Sequence, residues 1–456
     1  MLALRLTRGS HPAVQLRRLL VAVASAGTGF LLLCTLGYAM SHPDSAAAAA
    51  LRLAWCATPL AATVYFAVAV ARTDPATKPR PGLSAIGLGP GRLMAISATT
   101  TALACTLGSM LALLFFLHLR GDLTGMPFDG AAAEFLASDT PLPLPAALTL
   151  LAIVPVTASI AVALTLRPKD TSPKSTPRSY GRFGAYGKSG TRETFGAYGR
   201  FGAHLRTGSR TAAVDDPSAP APEPAQPAEP AADAEPTATV TGPVDLDPTR
   251  PPAPREVPKG LPWGVAILAA GLAVEAYANR AADTDGLSMP GGHAGGPAGV
   301  LAGWVLTAVG LALAGPGLTH LCGRLLQAVR PGALRLLAGR VLMEEATRIG
   351  RPLGVVCAVA SGAYAMTALY DTDAAVGPLT TLGTLLVTGC TVATLLTAAV
   401  EARQARADTT AALVRLGAPA TVLRSAAALR AGALLALFVP LTVVIAELAA
   451  LPLAHR

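Results

Sequence analysis

The feature that most constrains this chain is its run structure. Stretches of about 20 residues with few or no charged side chains recur along it, separated by segments that hold nearly all the Lys and Arg. A helix needs about 20 apolar residues to cross the roughly 30 Å hydrocarbon core of a bilayer. In that core each backbone N–H and C=O must pair internally, so helices satisfy the chain at least cost. A transmembrane β-barrel needs short alternating strands, and these runs do not alternate. The expectation is an all-α, polytopic integral membrane protein. Only 14% of its 456 residues are charged, against about 25% in a soluble domain.

Nine spans are expected, near residues 19–40, 51–71, 93–118, 146–166, 261–278, 298–319, 352–371, 379–400 and 426–450. Lys and Arg orient them through the positive-inside rule. With the N-terminus in the cytoplasm, residues 1–18 carry 4, 72–92 carry 4, 167–260 carry 13, 320–351 carry 6 and 401–424 carry 4. These account for 31 of the 36 in the chain. The outer loops hold Asp44, Asp122, Asp139, Asp283 and Asp371 among others, and none is long enough for an outer domain. Arg5, Arg8, Arg17 and Arg18 ahead of the first apolar run would also suit a signal peptide. The length of that run and the spans behind it favour a retained helix. The Arg-rich, Ala/Gly/Pro-rich composition suits a GC-rich bacterial genome, and the plasma membrane is the expected location.

Four regions follow. Residues 1–166 form a first membrane half of four spans. Residues 167–260 read as a disordered cytoplasmic linker, with Tyr180-Gly-Arg-Phe-Gly-Ala repeated at Tyr198 and a Pro/Ala/Glu-rich stretch behind it. Such composition cannot bury enough apolar surface to offset chain entropy. Residues 261–319 supply two connecting spans, and 320–456 a second half of three spans. Within 331–351, Arg340, Glu344 and Arg348 share one helical face, which reads as an interfacial elbow helix.

Two loops on the cytoplasmic side resemble each other. Leu83-Ser-Ala-Ile-Gly87-Leu-Gly89-Pro-Gly-Arg92-Leu93 and Leu413-Val-Arg-Leu-Gly417-Ala-Pro419-Ala-Thr-Val-Leu423-Arg424 align at an offset of 330. In each, a glycine between two short amphipathic stretches permits a tight reversal, because it tolerates φ > 0. Ala22-Val-Ala-Ser25 also recurs as Ala358-Val-Ala-Ser361, at an offset of 336. A chain this rich in alanine produces such a match by chance.

The loop pattern, above all Leu413-Val-Arg-Leu-Gly-Ala-Pro with Glu401, Ala402 and Arg403 ahead of it, resembles the FtsX-like permease domain of bacterial ABC transporters. The resemblance covers about 19–166 and 331–450, and the duplicated form is similar to the larger permeases of that family. It implies a transport subunit with no covalent chemistry of its own and a separate cytoplasmic ATP-binding cassette ATPase as partner. ATP hydrolysis there would drive export or extraction of an amphipathic or lipid-like substrate, with membrane lipids as neighbours. Gly87, Gly89, Arg92, Gly417, Pro419 and Arg424 would then form the coupling loops that dock on the ATPase. The chain departs from many relatives in lacking a large extracytoplasmic domain, and its second half lacks a counterpart of the 146–166 span.

Other chemistry is absent from the sequence. GxxxxGK[ST], HExxH and GxSxG motifs do not occur, and the histidines are scattered. No enzyme activity, cofactor or metal is expected, and no nucleic-acid binding, since the basic residues flank spans. The six cysteines sit in or beside apolar runs without CxxC spacing and read as small apolar fillers. Glu275 and Glu447 fall toward the outer ends of spans, where interfacial placement is expected. Gly299 and Gly303 form a GxxxG, a signature of close helix packing. A membrane scaffold or sensor acting through the linker is the alternative function.

Overall fold

The computed structural model describes residues 12–74, 90–123, 130–133, 136–167, 258–280, 298–328, 332–369 and 377–454. Of the predicted linker at 167–260, residues 168–257 lie outside them. Among the described residues the secondary structure is helical throughout. In chain order the helices are α1 (Pro12–Ser41), α2 (Ala46–Trp55), α3 (Ala57–Thr73), α4 (Pro90–Arg120), α5 (Leu144–Leu166), α6 (Gly260–Arg280), α7 (Ala298–Ala328), α8 (Ala333–Leu369), α9 (Pro378–Ala405), α10 (Ala407–Arg415) and α11 (Ala420–Ala454).

Eight of the predicted spans are helices long and apolar enough to cross a membrane. The remaining one, 352–371, occupies the end of α8, which has no charged residue between Arg351 and its last residue, Leu369. The protein is an all-α, multi-pass membrane protein. Most helices run past their apolar stretch into the flanking charged segment. The predicted elbow at 331–351 is instead the first part of one continuous 37-residue helix, α8, with Pro352 inside it. Proline removes one helical hydrogen bond, but it need not end a helix whose other turns are held by packing. The predicted span 51–71 is interrupted at Cys56, between α2 and α3. Pro59 supplies the reason, because a proline ring crowds the carbonyl four residues back and has no N–H to donate to it. The ladder resumes with Leu60 N donating to Cys56 O at 3.1 Å.

The patterning is that of a helix in lipid. On α4 the inward stripe is Ser97, Thr101, Cys105, Ser109, Ala112 and Phe116, all buried, while Leu103, Leu107, Leu111 and Leu114 face outward and are exposed. In water an outward leucine stripe would invite association. In hydrocarbon it costs nothing, and packing of small and hydroxyl-bearing side chains holds the helices together instead.

The first half is a bundle of α1, α3, α4 and α5, in which α1 packs on each of the other three. A second group is formed by the connecting helices α6 and α7 with α8 and α11 of the second half. Helix α9 belongs to the second half in sequence but packs on α3 and α1 as well as on α8, and so joins the two. Cys390 of α9 lies in the same buried cluster as Val21, Ala24, Phe66 and Cys105. Thr63 of α3 contacts the Cys390 Sγ at 3.9 Å and shares a hydrogen bond with Thr28 of α1 at 2.9 Å.

The halves share specific contacts. In the first, the Ser25 hydroxyl of α1 donates to the Cys105 carbonyl of α4 at 2.8 Å. In the second, the Cys357 thiol of α8 donates to the Phe438 carbonyl of α11 at 3.9 Å. Cys357 lies 332 residues after Ser25, and Phe438 lies 333 after Cys105. In this contact Cys357, rather than the Ser361 of the 336-residue echo, does what Ser25 does in the first half.

Helices α6 and α7 form an antiparallel hairpin with interlocking small residues. A Cβ on Gly264 would overlap Ala314, one on Gly310 would overlap the Leu268 backbone, and one on Gly303 would overlap the Glu275 side chain. The Gly299–Gly303 pair thus lies in a close helix contact, as its spacing predicts.

Candidate functional site

The best-defined local structure that matches a predicted site is the segment joining α9 to α11. The last turn of α9 carries Arg403. Arg406 is at once the C-cap of α9 and the N-cap of α10. Helix α10 has nine residues, none buried. It ends in a Schellman motif centred on Gly417, whose φ is +87°. Gly417 N donates to Val414 O and Ala418 N donates to Leu413 O, each at 3.0 Å. These two bonds satisfy the orphan carbonyls of the last turn, and they require a residue at the left-handed position that bears no Cβ penalty. The spacing Leu413-x-x-x-Gly417 is the spacing of that motif. Pro419 and the first turn of α11 follow directly, and Arg424 is exposed on that helix.

The surface so formed is mixed. Arg403, Ala407, Thr410, Ala411, Val414 and Arg415 line an open groove along α9 and α10. Leu416, at the turn, is 84% exposed. A β-branched and a leucine side chain offered to solvent beside two guanidinium groups form a surface with apolar grip and positive charge. Open space surrounds Gly417, with no atom within 4 Å of where its Cβ would stand.

The other predicted site residues divide. Arg92 is exposed on the first turn of α4, beside buried Leu93. Gly87 and Gly89 lie outside the described residues. The first-half loop is therefore visible only at its two ends, Asp74 and Pro90.

Two ion pairs sit at the bases of these segments, and sequence reasoning missed both. Glu345 of α8 lies 2.8 Å from Arg406, with side-chain exposures of 8% and 28%. The Arg406 Nε also donates to its own helix, at Ala402 O, 3.1 Å away. In the first half, Arg18 of α1 pairs with Asp74, the C-cap of α3, and Arg17 donates to Thr73 Oγ1 at 3.3 Å. Asp74 and Arg406 stand 332 residues apart at corresponding helix ends. Each is tied to the first long helix of its half, with the signs of charge exchanged. The available signal was a charged residue a few positions past an apolar run. Its partner lies 56 or more residues away and cannot be read from spacing.

Burial pushes the Glu345 carboxyl above the usual carboxylate range, against the pull of Arg406, Arg430 and Arg348. Arg430 of α11 is itself half-buried beside this group. The base of α10 is thus linked to three long helices, α8, α9 and α11, through one cluster of charge.

Compared with models of known protein families, with curated proteins and with solved structures, the chain matches none of them.

Proposed function

We propose that this chain is the membrane-spanning permease subunit of an ABC transporter of the FtsX-like kind, worked by a separate cytoplasmic ATPase. The observation that carries the reading is α10, a nine-residue helix with no buried residue, held between two long apolar helices by a positive-φ glycine on one side and a charge cluster on the other. Such a segment is suited to receive force. It is short, its ends are defined, and its base connects to α8, α9 and α11, so displacement at its surface reaches the spans. The Lys and Arg distribution supports a cytoplasmic position for this end of the bundle. Val414, Leu416, Arg403 and Arg415 would then meet an apolar pocket with an acidic rim on the partner. Arg92, Pro419 and Arg424 would flank the two docking points, with Gly87 and Gly89 forming the first. The outward leucine stripes suit a substrate that enters from lipid, an amphipathic or lipid-like molecule moved outward or extracted.

The test is affinity purification of the tagged full chain in mild detergent, followed by mass spectrometry. A stoichiometric ATP-binding cassette protein that is lost on Gly417→Trp supports the permease. Absence of any ATPase, together with loss of phenotype on deletion of 175–258, would replace it with a scaffold that works through its linker.

A further inference from the structure

Glu275 occupies a place unlike that of any other carboxylate in the described residues. It lies one turn and a half from the end of α6, within the apolar stretch Gly260–Ala278. The residue is 1% exposed. Its side chain enters the α6–α7 seam opposite Gly303, where a Cβ would overlap its Cγ, so the glycine is what makes room for the carboxyl. Oε1 accepts a hydrogen bond from Thr307 Oγ1 at 3.1 Å. Oε2 is fully buried and has no partner among the described residues.

Among the described residues no cation compensates it. On α6, Tyr277 and Arg280 are exposed, and Lys259 lies at the opposite end of the helix. Helix α7 has no ionisable residue from Ala298 to Thr319. Helix α11, which also packs on α6 and α7, carries Arg430, which faces Glu345, and Glu447, which accepts a hydrogen bond from Tyr364 at 3.0 Å. A bare carboxylate with one hydroxyl donor, in a glycine-lined slot inside hydrocarbon, is far less favourable than the neutral acid, and such a group takes up a proton instead.

We propose that Glu275 is a proton-binding site in the membrane, holding one proton on Oε2 while α6 and α7 are packed and releasing it to water only when the seam opens. The proton enters as H⁺ from water and no other bond is made or broken. Thr307 orients the acid by donating to Oε1, and Gly303 shapes the slot. A charge created in the closed seam would have no counter-charge, so loss of the proton favours separation of the two helices. The site does not depend on the permease reading.

The experiment is infrared difference spectroscopy of the full-length protein in liposomes, titrated with pH. A C=O band of a protonated carboxylic acid is expected at neutral pH, fading as the pH is raised and missing in Glu275→Gln, which keeps the shape and stays neutral. Thr307→Val, which removes the only hydroxyl on Oε1, should move that band to higher frequency. Identical spectra for the wild type and Glu275→Gln at neutral pH would overturn the proposal, as would a band unmoved by Thr307→Val. Disappearance of the band on adding sodium at fixed pH would also overturn it, making the site one for a metal cation.

Discussion

Glu345 on α8 lies 2.8 Å from Arg406, the residue at which α9 ends and α10 begins. The carboxyl is nearly buried, ahead of the charge-free part of its helix, and desolvation outweighs the three nearby guanidinium groups in setting its protonation. A carboxyl raised in the folded state binds protons more readily there than in the unfolded chain. Its contribution to stability is full below the ordinary carboxylate range and is lost as pH rises through the raised value. The melting temperature of the detergent-solubilised protein should fall across that window, and Glu345→Gln should flatten the dependence. A melting temperature that rises over the same range would mean that attraction to Arg406 dominates.

The Arg18–Asp74 pair makes the corresponding tie in the first half, with the charges exchanged. Asp74→Asn should destabilise by about 1.5–3 kcal/mol, the range for a hydrogen bond to a charged group. Arg18→Asp combined with Asp74→Arg should recover much of that loss, which a double-mutant cycle of thermal melts would measure. Failure of the reversal to recover any stability would show that packing of the arginine stem, rather than charge, is what Asp74 supports.

Gly417 has φ +87° in open space, so a substitution there is penalised by the backbone and not by a clash. Gly417→Ala should cost about 1–2 kcal/mol at the α10–α11 turn. Gly417→Asn should cost less, because asparagine tolerates this conformation better. Hydrogen exchange of the Val414–Ala418 amides is the direct readout. In the proposed complex, the same order should appear in retention of the partner ATPase.

The seam between α6 and α7 admits no side chain at Gly310, whose Cβ would overlap the Leu268 backbone. Gly310→Ala should destabilise by about 1–3 kcal/mol as an overpacked contact, and Gly310→Leu should abolish a monodisperse preparation. Gly389→Ala on α9 is the control, since nothing stands within 4 Å of its Cβ position. Size-exclusion profiles in one detergent compare the three variants.

Ser25 and Cys357 hold corresponding positions in the two halves and donate to carbonyls of corresponding helices. Ser25→Ala should cost about 0.6 kcal/mol, the usual worth of an interhelical hydrogen bond in a membrane. Cys357→Ser should be tolerated or slightly stabilising, because a hydroxyl is the stronger donor. Thermal melts of both variants check the pair.

The turn at Gly417 was legible because its determinants are local. The left-handed residue of a Schellman motif must lie four residues after the first bonded carbonyl, Leu413, and only glycine fills it without strain. The close approach at Gly299 and Gly303 was legible for the same kind of reason. The ion pairs at Arg18 and Glu345 were not, nor was the burial of Glu275 in the α6–α7 seam. In each case the partner comes from another helix, and the rotation of one helix against the next decides whether a side chain meets lipid, water or protein.

The sequence by itself determined that this chain crosses a membrane many times as helices. The length and nearly charge-free composition of each run decide that against a uniform solvent, the hydrocarbon, with no reference to neighbours. Tertiary structure alone decided which faces turn inward. A membrane removes the hydrophobic difference between inside and outside, so leucine no longer marks the core. Fit does so instead: α9 seats against α3, glycines admit the neighbouring backbone, and buried carboxyls are accommodated beside a guanidinium group, as at Glu345, or, at Glu275, in a seam where Thr307 is the one hydrogen-bond donor among the described residues.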